Sequence, residues 1–190
     1  MVSFDEQAIL DNGAYIYNQR AEIERIADEI CEKGFDSIFF TSSGGSLAMM
    51  QPFDYMVSVM SDIPVQSQVS ADFLTVGNRR IGKGTLAFMA SKSGDTKETV
   101  AAAKAAKDAG CTIVSTLGVD GSPLGELSDY GVIYKQGRPM ELVLYLLIGK
   151  ILKNRGFFDD YDRFADELVN LPAALVSVGK NAERWLAHML

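Results

Sequence analysis

Apolar positions along the chain alternate between helical spacing and short continuous runs, and that alternation predicts an α/β architecture. Between Asp5 and Lys33, the residues Ile16, Ile23, Ile26, Ala27 and Ile30 form a stripe at helical spacing, and Gly34 stands where a terminator belongs. One opening helix is expected there. Ser37-Ile38-Phe39-Phe40 follows as a short apolar strand, and the Met-rich run from Leu47 to Met60 returns to helix. Pro64 introduces an alternating strand, Val65 to Val69, followed by a brief helical turn near Ala71 to Leu74. Thr85 to Ala90 reads as a buried strand, Lys97 to Ala109 as an Ala-rich helix ended by Gly110, and Cys111 to Leu117 as another buried strand. Gly118 to Leu124 is a Gly/Pro turn leading into a short helix, Tyr130 to Tyr134 a fifth strand, and Pro139 to Leu152 a strongly apolar helix. Long helical crossovers imply parallel pairing, because antiparallel neighbours are joined by tight hairpins. The expected fold is a three-layer αβα sandwich on a five-stranded parallel sheet, Rossmann-like or flavodoxin-like, with helical segments at both ends.

The remainder, from Phe157 on, contains no strand. Asp159 to Asn170 reads as one amphipathic helix, Leu171-Pro172 as a break, and Ala173 to His188 as a second helix. We therefore expect a domain over residues 1–156 and a helical connector or tail over 157–190. Trp185, Leu186, Met189 and Leu190 give the tail apolar surface that needs cover. With the Met-rich helix and the opening helix, that surface predicts a homodimer or higher homo-oligomer.

Composition narrows the function classes. At 190 residues and 47% hydrophobic, the chain can bury a core without disulfides or metal. Cys31 and Cys111 are too few for a disulfide framework, and Cys111, at the head of an apolar run, reads as a buried thiol. A net charge of −7 argues against nucleic acid as a partner, since backbone binding needs clustered cations. The longest apolar run, Leu142 to Ile148, covers about two helical turns, too short for a membrane span, and no basic region with an apolar signal core opens the chain. A cytoplasmic location is expected, with no membrane contact.

The candidate chemistry lies in two turns. Ser91-Lys92-Ser93-Gly94-Asp95-Thr96 joins a buried strand to a helix, where unpaired backbone N–H groups and the positive helix end favour an anion, assisted by three hydroxyls and an ammonium. The same residue types also cap helices, and Asp95 or Ser93 in that role would satisfy the first N–H groups with no ligand. Thr41-Ser42-Ser43-Gly44-Gly45-Ser46 repeats the arrangement after the first strand. In one parallel sheet both turns open at the carboxyl edge, where open α/β sheets bind ligands.

Ser91-Lys92-Ser93-Gly94-Asp95-Thr96-Lys97-Glu98-Thr99 resembles the S-x-S-G-x-T-x-E-T signature of sugar isomerase (SIS) domains, and Ser43-Gly44-Gly45-Ser46 resembles their first phosphate loop. Asp120-Gly121-Ser122-Pro123-Leu124 is similar to the SPL turn after their fourth strand, so the resemblance covers about the whole chain. Lys33 to Phe40 leading into the double-glycine loop, together with the Leu171-Pro172 connector, most resembles the first of the two SIS domains of fructosamine-6-phosphate deglycases, relatives of the isomerase part of glucosamine-6-phosphate synthase. The resemblance implies a sugar 6-phosphate or ketosamine 6-phosphate ligand and cleavage to glucose 6-phosphate and free amine by proton transfer, with no metal, nucleotide or other cofactor. It assigns phosphosugar binding to Gly44, Gly45, Ser46, Ser91, Lys92, Ser93 and Thr96. Asp95 is kept outside the ligand shell as a helix cap.

Glu141 is the one catalytic candidate, because ketose–aldose chemistry needs a group that moves a proton between adjacent carbons, and single-domain SIS isomerases carry a glutamate at the matching helix start. A glutamate in a first helical turn is also favoured by the macrodipole alone. The sole histidine, His188, reads as a surface residue of the terminal helix. Two further readings stay open: a stand-alone phosphosugar aldose–ketose isomerase whose site forms at an oligomer interface, and a non-catalytic sugar-phosphate sensor module.

Overall fold

The computed structural model describes residues 5–135 and 139–187. The opening segment is two helices, α1 (Glu6–Tyr17) and α2 (Arg20–Lys33), where the apolar stripe predicts one. Tertiary contact breaks it. The Gln19 side-chain amide donates to the carbonyl of Ile133, 3.0 Å away on the last strand, and pins the corner at Asn18-Gln19 to the sheet. The stripe itself is buried throughout, and Gly34 closes α2 at a φ of +79°.

Five strands follow: β1 (Ser37–Ser42), β2 (Val65–Val69), β3 (Thr85–Ser91), β4 (Thr112–Leu117) and β5 (Tyr130–Ile133). They pair all-parallel in the order β2-β1-β3-β4-β5. The central strands β1, β3 and β4 are buried along nearly their whole length, as continuous apolar runs require when both faces of a sheet are covered. The three-layer αβα sandwich expected from the alternation is the fold observed.

On one face, α2, α3 (Gly44–Met60) and α7 (Glu141–Asn154) cover Ile38, Phe40, Phe88, Val114 and Val132. On the other, α4 (Ser70–Val76), α5 (Lys97–Asp108) and the short α6 (Pro123–Leu127) cover Phe39, Ala87, Met89 and Ile113. Ala102, Ala103 and Ala106 carry no side chain beyond Cβ, so α5 lies close on the sheet, and all three are fully buried. Cys111 is buried at the foot of β4, where desolvation pushes its thiol up to about 11.

The terminal segment is α8 (Tyr161–Glu167), a single 3₁₀ turn at Leu168–Asn170, and α9 (Leu171–Ala187). Its first half belongs to the core. Tyr161 is fully buried, and its hydroxyl donates to the Leu146 carbonyl at 3.1 Å, with Glu24 Oε1 at 3.0 Å. Pro172 falls within the first turn of α9, where its missing N–H costs nothing, and it seats against Gly13 of α1. Lys180 pairs with Glu6 at 2.6 Å along the same contact. Trp185 and Leu186 near the end of α9 are exposed. His188, Met189 and Leu190 lie outside the described residues. Among those described, no helix is long and apolar enough to cross a membrane.

Candidate functional site

Strand order places the site. The chain leaves β1 toward β2 on one side and leaves β3 toward β4 on the other, so the crossovers diverge between β1 and β3. This is the topological switch point of a doubly wound sheet, the place outside the carboxyl ends of the strands where such sheets bind ligands. The β1–α3 and β3–α5 turns are the two that flank it.

In the first turn, Ser43 precedes α3 in an extended conformation and its side chain makes no capping bond. Gly44 has a φ of +54°, and an added Cβ at either Gly44 or Gly45 would meet nothing within 4 Å. Gly44, Gly45 and the half-buried Ser46 thus begin the helix facing open space. Ser42 turns inward instead and donates its hydroxyl to the Ala90 carbonyl of β3.

The second turn is held from within and from behind. Ser91, buried at the end of β3, accepts the Gly94 N–H on its hydroxyl at 2.9 Å and shares a hydroxyl–hydroxyl bond with Thr96 at 3.1 Å. Gly94 takes a φ of +73°, and an added Cβ would collide with Ser122 of the β4–α6 turn. The Leu124 N–H donates to the Gly94 carbonyl at 2.9 Å, and the Gly118 N–H to the Ser91 carbonyl at 3.2 Å. Gly118 passes so close to the Lys92 carbonyl that it too excludes a side chain. Lys92 and Ser93 are the exposed crest of this braced loop. Thr99, one turn into α5, donates to Ser43 at 3.4 Å and joins the second turn to the first.

Asp95 is not the helix cap expected of it. It lies exposed, and Thr96 holds the cap position with its hydroxyl drawn back to Ser91 rather than toward the helix. Neither α3 nor α5 therefore has a side-chain cap, and the capping alternative for these Ser, Asp and Thr residues is not realised at either helix. Two positive helix ends meet at the switch point with first-turn N–H groups that no side chain of the cap residue satisfies.

Glu141 opens α7 at the same sheet edge, one helix over from the first turn. Tyr145, one turn further on, stacks edge-to-face on Phe53 of α3 with centroids 4.8 Å apart. Burial pushes the nearby Tyr134 phenol up, and the Glu141 carboxylate adds to the effect. Glu141 also lines a cleft of about 430 Å³ between α1, α7 and α9, whose other lining residues include Ile9, Tyr145, Leu171, Leu175 and Val178. The structure thus puts Gly44, Gly45, Ser46, Ser91, Lys92, Ser93 and Thr96 in one pair of turns, and puts Glu141 at the start of α7, in the wall of a cleft that shares no lining residue named here with those turns. Sequence reasoning missed the braces: Thr99 stands at the end of the signature, and Gly118 and Ser122 in the third turn, but only tertiary contact reveals what they hold. Among the described residues, no group of three or more His, Cys, Asp or Glu is placed to hold a metal ion.

Two uncapped helix starts at the switch point of an all-parallel sheet define a doubly wound α/β protein with an open edge suited to an anion. The family model for the SIS domain matches residues 33–148, more than half of the chain, and the chain belongs to that family. It is 31% identical over 158 residues to the glutamine–fructose-6-phosphate aminotransferase (isomerizing) of Thermotoga maritima, covering 77% of this chain and 26% of that protein. It is 30% identical over 117 residues to the fructosamine deglycase FrlB of Bacillus subtilis, covering 61% and 36%. Among solved structures, a candidate phosphosugar isomerase from Salmonella typhimurium LT2 superposes with a TM-score of 0.79 at 26% identity, over 89% of this chain and 55% of that one. The chain thus spans about a quarter to about a half of the length of these relatives.

Proposed function

We propose that the crevice between the β1–α3 and β3–α5 turns binds the phosphate of a sugar 6-phosphate, with the sugar chain running along the sheet edge toward Glu141. The observation that carries this is the meeting of two uncapped helix starts at the switch point, on turns that carry Ser46, Ser93 and Thr96. Backbone N–H groups and hydroxyls together neutralise a dianion without a basic patch, in keeping with an acidic chain. Gly44 and Gly45 leave room for close approach.

The relatives named for fructose-6-phosphate amination and fructosamine deglycation support a ketosamine 6-phosphate as the ligand. In this reading the chain is the first half of a fructosamine-6-phosphate deglycase or aminosugar-phosphate isomerase, and residues 157–190 connect it to a second domain. The Glu141 carboxylate takes a proton from C1 of the ketosamine as the C2 carbonyl oxygen gains one, and a proton returned to C2 while the nitrogen gives up its own leaves a C1=N imine and a C2 hydroxyl. Water adds to that imine, the amine departs, and glucose 6-phosphate remains. A second reading, a stand-alone isomerase acting as a homo-oligomer, is favoured by the position of Glu141 at a helix start on the same edge as the turns.

Calorimetric titration with glucose 6-phosphate and fructose 6-phosphate tests the site. Ser93→Ala combined with Thr96→Ala should weaken binding ~100-fold or more, since hydrogen bonds to a charged group contribute roughly 1.5–3 kcal/mol each. A folded wild type that binds neither sugar phosphate would reduce the turns to structural ones. Deuterium uptake by glucose 6-phosphate in D₂O, present with the wild type and absent with Glu141→Gln, would favour the stand-alone isomerase.

A further inference from the structure

Strand β2 is an edge of the sheet, paired only with β1, and it is half-buried where the central strands are buried. The pairing fixes which backbone groups face out. The Ile38 N–H donates to the Pro64 carbonyl at 2.9 Å with Ile38 opposite Val65, so Gln66 and Gln68 turn their backbone groups to β1 while Val65, Ser67 and Val69 turn theirs away. Among the described residues, no turn or loop backbone bonds those of Val65 or Ser67. An edge left as a bare row of N–H and C=O groups is a template for another strand, and proteins blunt such edges with charges, proline or a bulge. Val65–Val69 contains none of the three.

The strand's own sequence identifies the partner. Val65-Gln66-Ser67-Gln68-Val69 reads the same in both directions about Ser67. A two-fold axis at Ser67 pairs two copies antiparallel with Val65 opposite Val69, Gln66 opposite Gln68 and Ser67 opposite itself, so every cross-strand pair is like with like and uncharged. The two faces agree as well. Ser67 donates its hydroxyl to Asp54 of α3 and Val65 packs into the cluster that α3 covers, while on the opposite face the Asn78 amide donates to the side-chain oxygens of Gln66 and Gln68, each at 3.2 Å. An axis normal to the sheet keeps those faces matched between copies. It also carries the α4 start of each copy, with the exposed Asp72, alongside the amino end of the other β2, where Arg80 stands with Pro64 and Val65 around one hollow. Opposite charges then meet at both ends of the seam.

We propose that β2 pairs antiparallel with β2 of a second copy of this chain, joining the two sheets into one. Ser67 bonds Ser67 in both directions, and at each end the Val69 N–H donates to the Val65 carbonyl of the other copy, the Val69 carbonyl being taken by the first turn of α4. The two carboxyl edges then face opposite ways. Neither copy lends a residue to the other's turns, and a catalytic site shared between copies would need a different interface.

The test is sedimentation equilibrium of the purified chain at micromolar concentration, with Ser67→Pro, Ser67→Cys and Gln66→Cys. Proline at 67 removes an outward N–H and leaves the ladder to β1 intact, so both central bonds are lost and the dimer dissociation constant should rise at least ~30-fold while circular dichroism is unchanged. Across an antiparallel bonded pair the two Cα atoms at position 67 stand about 5.5 Å apart, within disulfide reach. Those at position 66 are offset along the seam to about 8 Å, beyond it. Under oxidised glutathione Ser67→Cys should therefore form a covalent dimer, and Gln66→Cys no more of one than the wild type. A wild type that stays monomeric would overturn the proposal. So would a dimer that survives Ser67→Pro, or one in which Ser67→Cys cross-links no better than Gln66→Cys, since either places the interface elsewhere. Should Ser67→Pro fail to fold, the cysteine pair decides alone.

Discussion

The two turns flanking the switch point look alike in sequence, each a run of hydroxyl residues around glycine between a strand and a helix, but they are built in opposite ways. The β3–α5 turn is braced on every side: by Ser91 within it, by Gly118 and Leu124 through backbone bonds, and by Ser122 packed on Gly94. The β1–α3 turn is open, with Gly44 and Gly45 touching nothing that an added Cβ would reach. In the braced turn packing explains the glycine; in the open turn the left-handed φ of +54° explains Gly44, and Gly45 alone has neither a neighbour nor a backbone that requires it. A glycine that no neighbour demands points to a requirement outside the chain, whereas a braced glycine is explained by packing alone.

Breaking the brace should give the largest effect. Gly94→Ala introduces a Cβ that collides with Ser122 on a backbone at φ +73°, where side chains are disfavoured. Overpacking and left-handed strain together should cost about 2–4 kcal/mol, read from urea denaturation. Gly118→Ala, which collides with the Lys92 carbonyl, should act in the same direction. A loss below ~1 kcal/mol for Gly94→Ala would mean that the turn yields and that the contrast with its neighbour is false.

The contrast also marks how far the sequence could be read. The strands were legible because β1, β3 and β4 are covered on both faces and so appear as unbroken apolar runs. The break at Asn18-Gln19 was not, since neither residue is a helix breaker and the cause is a bond from Gln19 to Ile133, far along the chain. Helix α3 begins at Gly44, ahead of the expected Leu47, because two glycines read as loop by propensity while the backbone already turns as helix. Cap preference alone favours Asp95, but the positive φ of Gly94 and the pull of Ser91 on Thr96 give the position to Thr96. Both turns were visible from their residue types and their strand and helix context. What holds one rigid and leaves the other open depends on the third turn, and no local pattern in either loop reports it.

Ser122 sharpens the comparison further. Its hydroxyl is buried with no hydrogen-bond partner among the described residues, and its side chain does not cap α6. An unsatisfied buried hydroxyl costs about 1–3 kcal/mol, so Ser122→Ala should stabilise the protein by ~1 kcal/mol, less a small packing loss. For a domain of this size that corresponds to a rise of about 2–4 °C in Tm. Sugar-phosphate affinity should hold if Ser122 acts on the β3–α5 turn only by filling space behind Gly94. A fall in affinity at undiminished stability would instead give the hydroxyl a partner in the bound state.

The smallest expected effect carries the most information about the open turn. Gly45 sits in the first turn of α3 at an ordinary φ with nothing within 4 Å of an added Cβ. Alanine there lowers the entropy of the unfolded chain and improves helix propensity, so Gly45→Ala should stabilise the fold by about 0.5 kcal/mol. If the turn approaches a phosphate closely, the same methyl should weaken glucose 6-phosphate binding severalfold. The two readouts then move in opposite directions, which no role confined to folding produces. Were both to improve or stay level, the bare backbone at Gly45 would serve neither the fold nor the ligand, and the anion would have to be held by the braced turn alone.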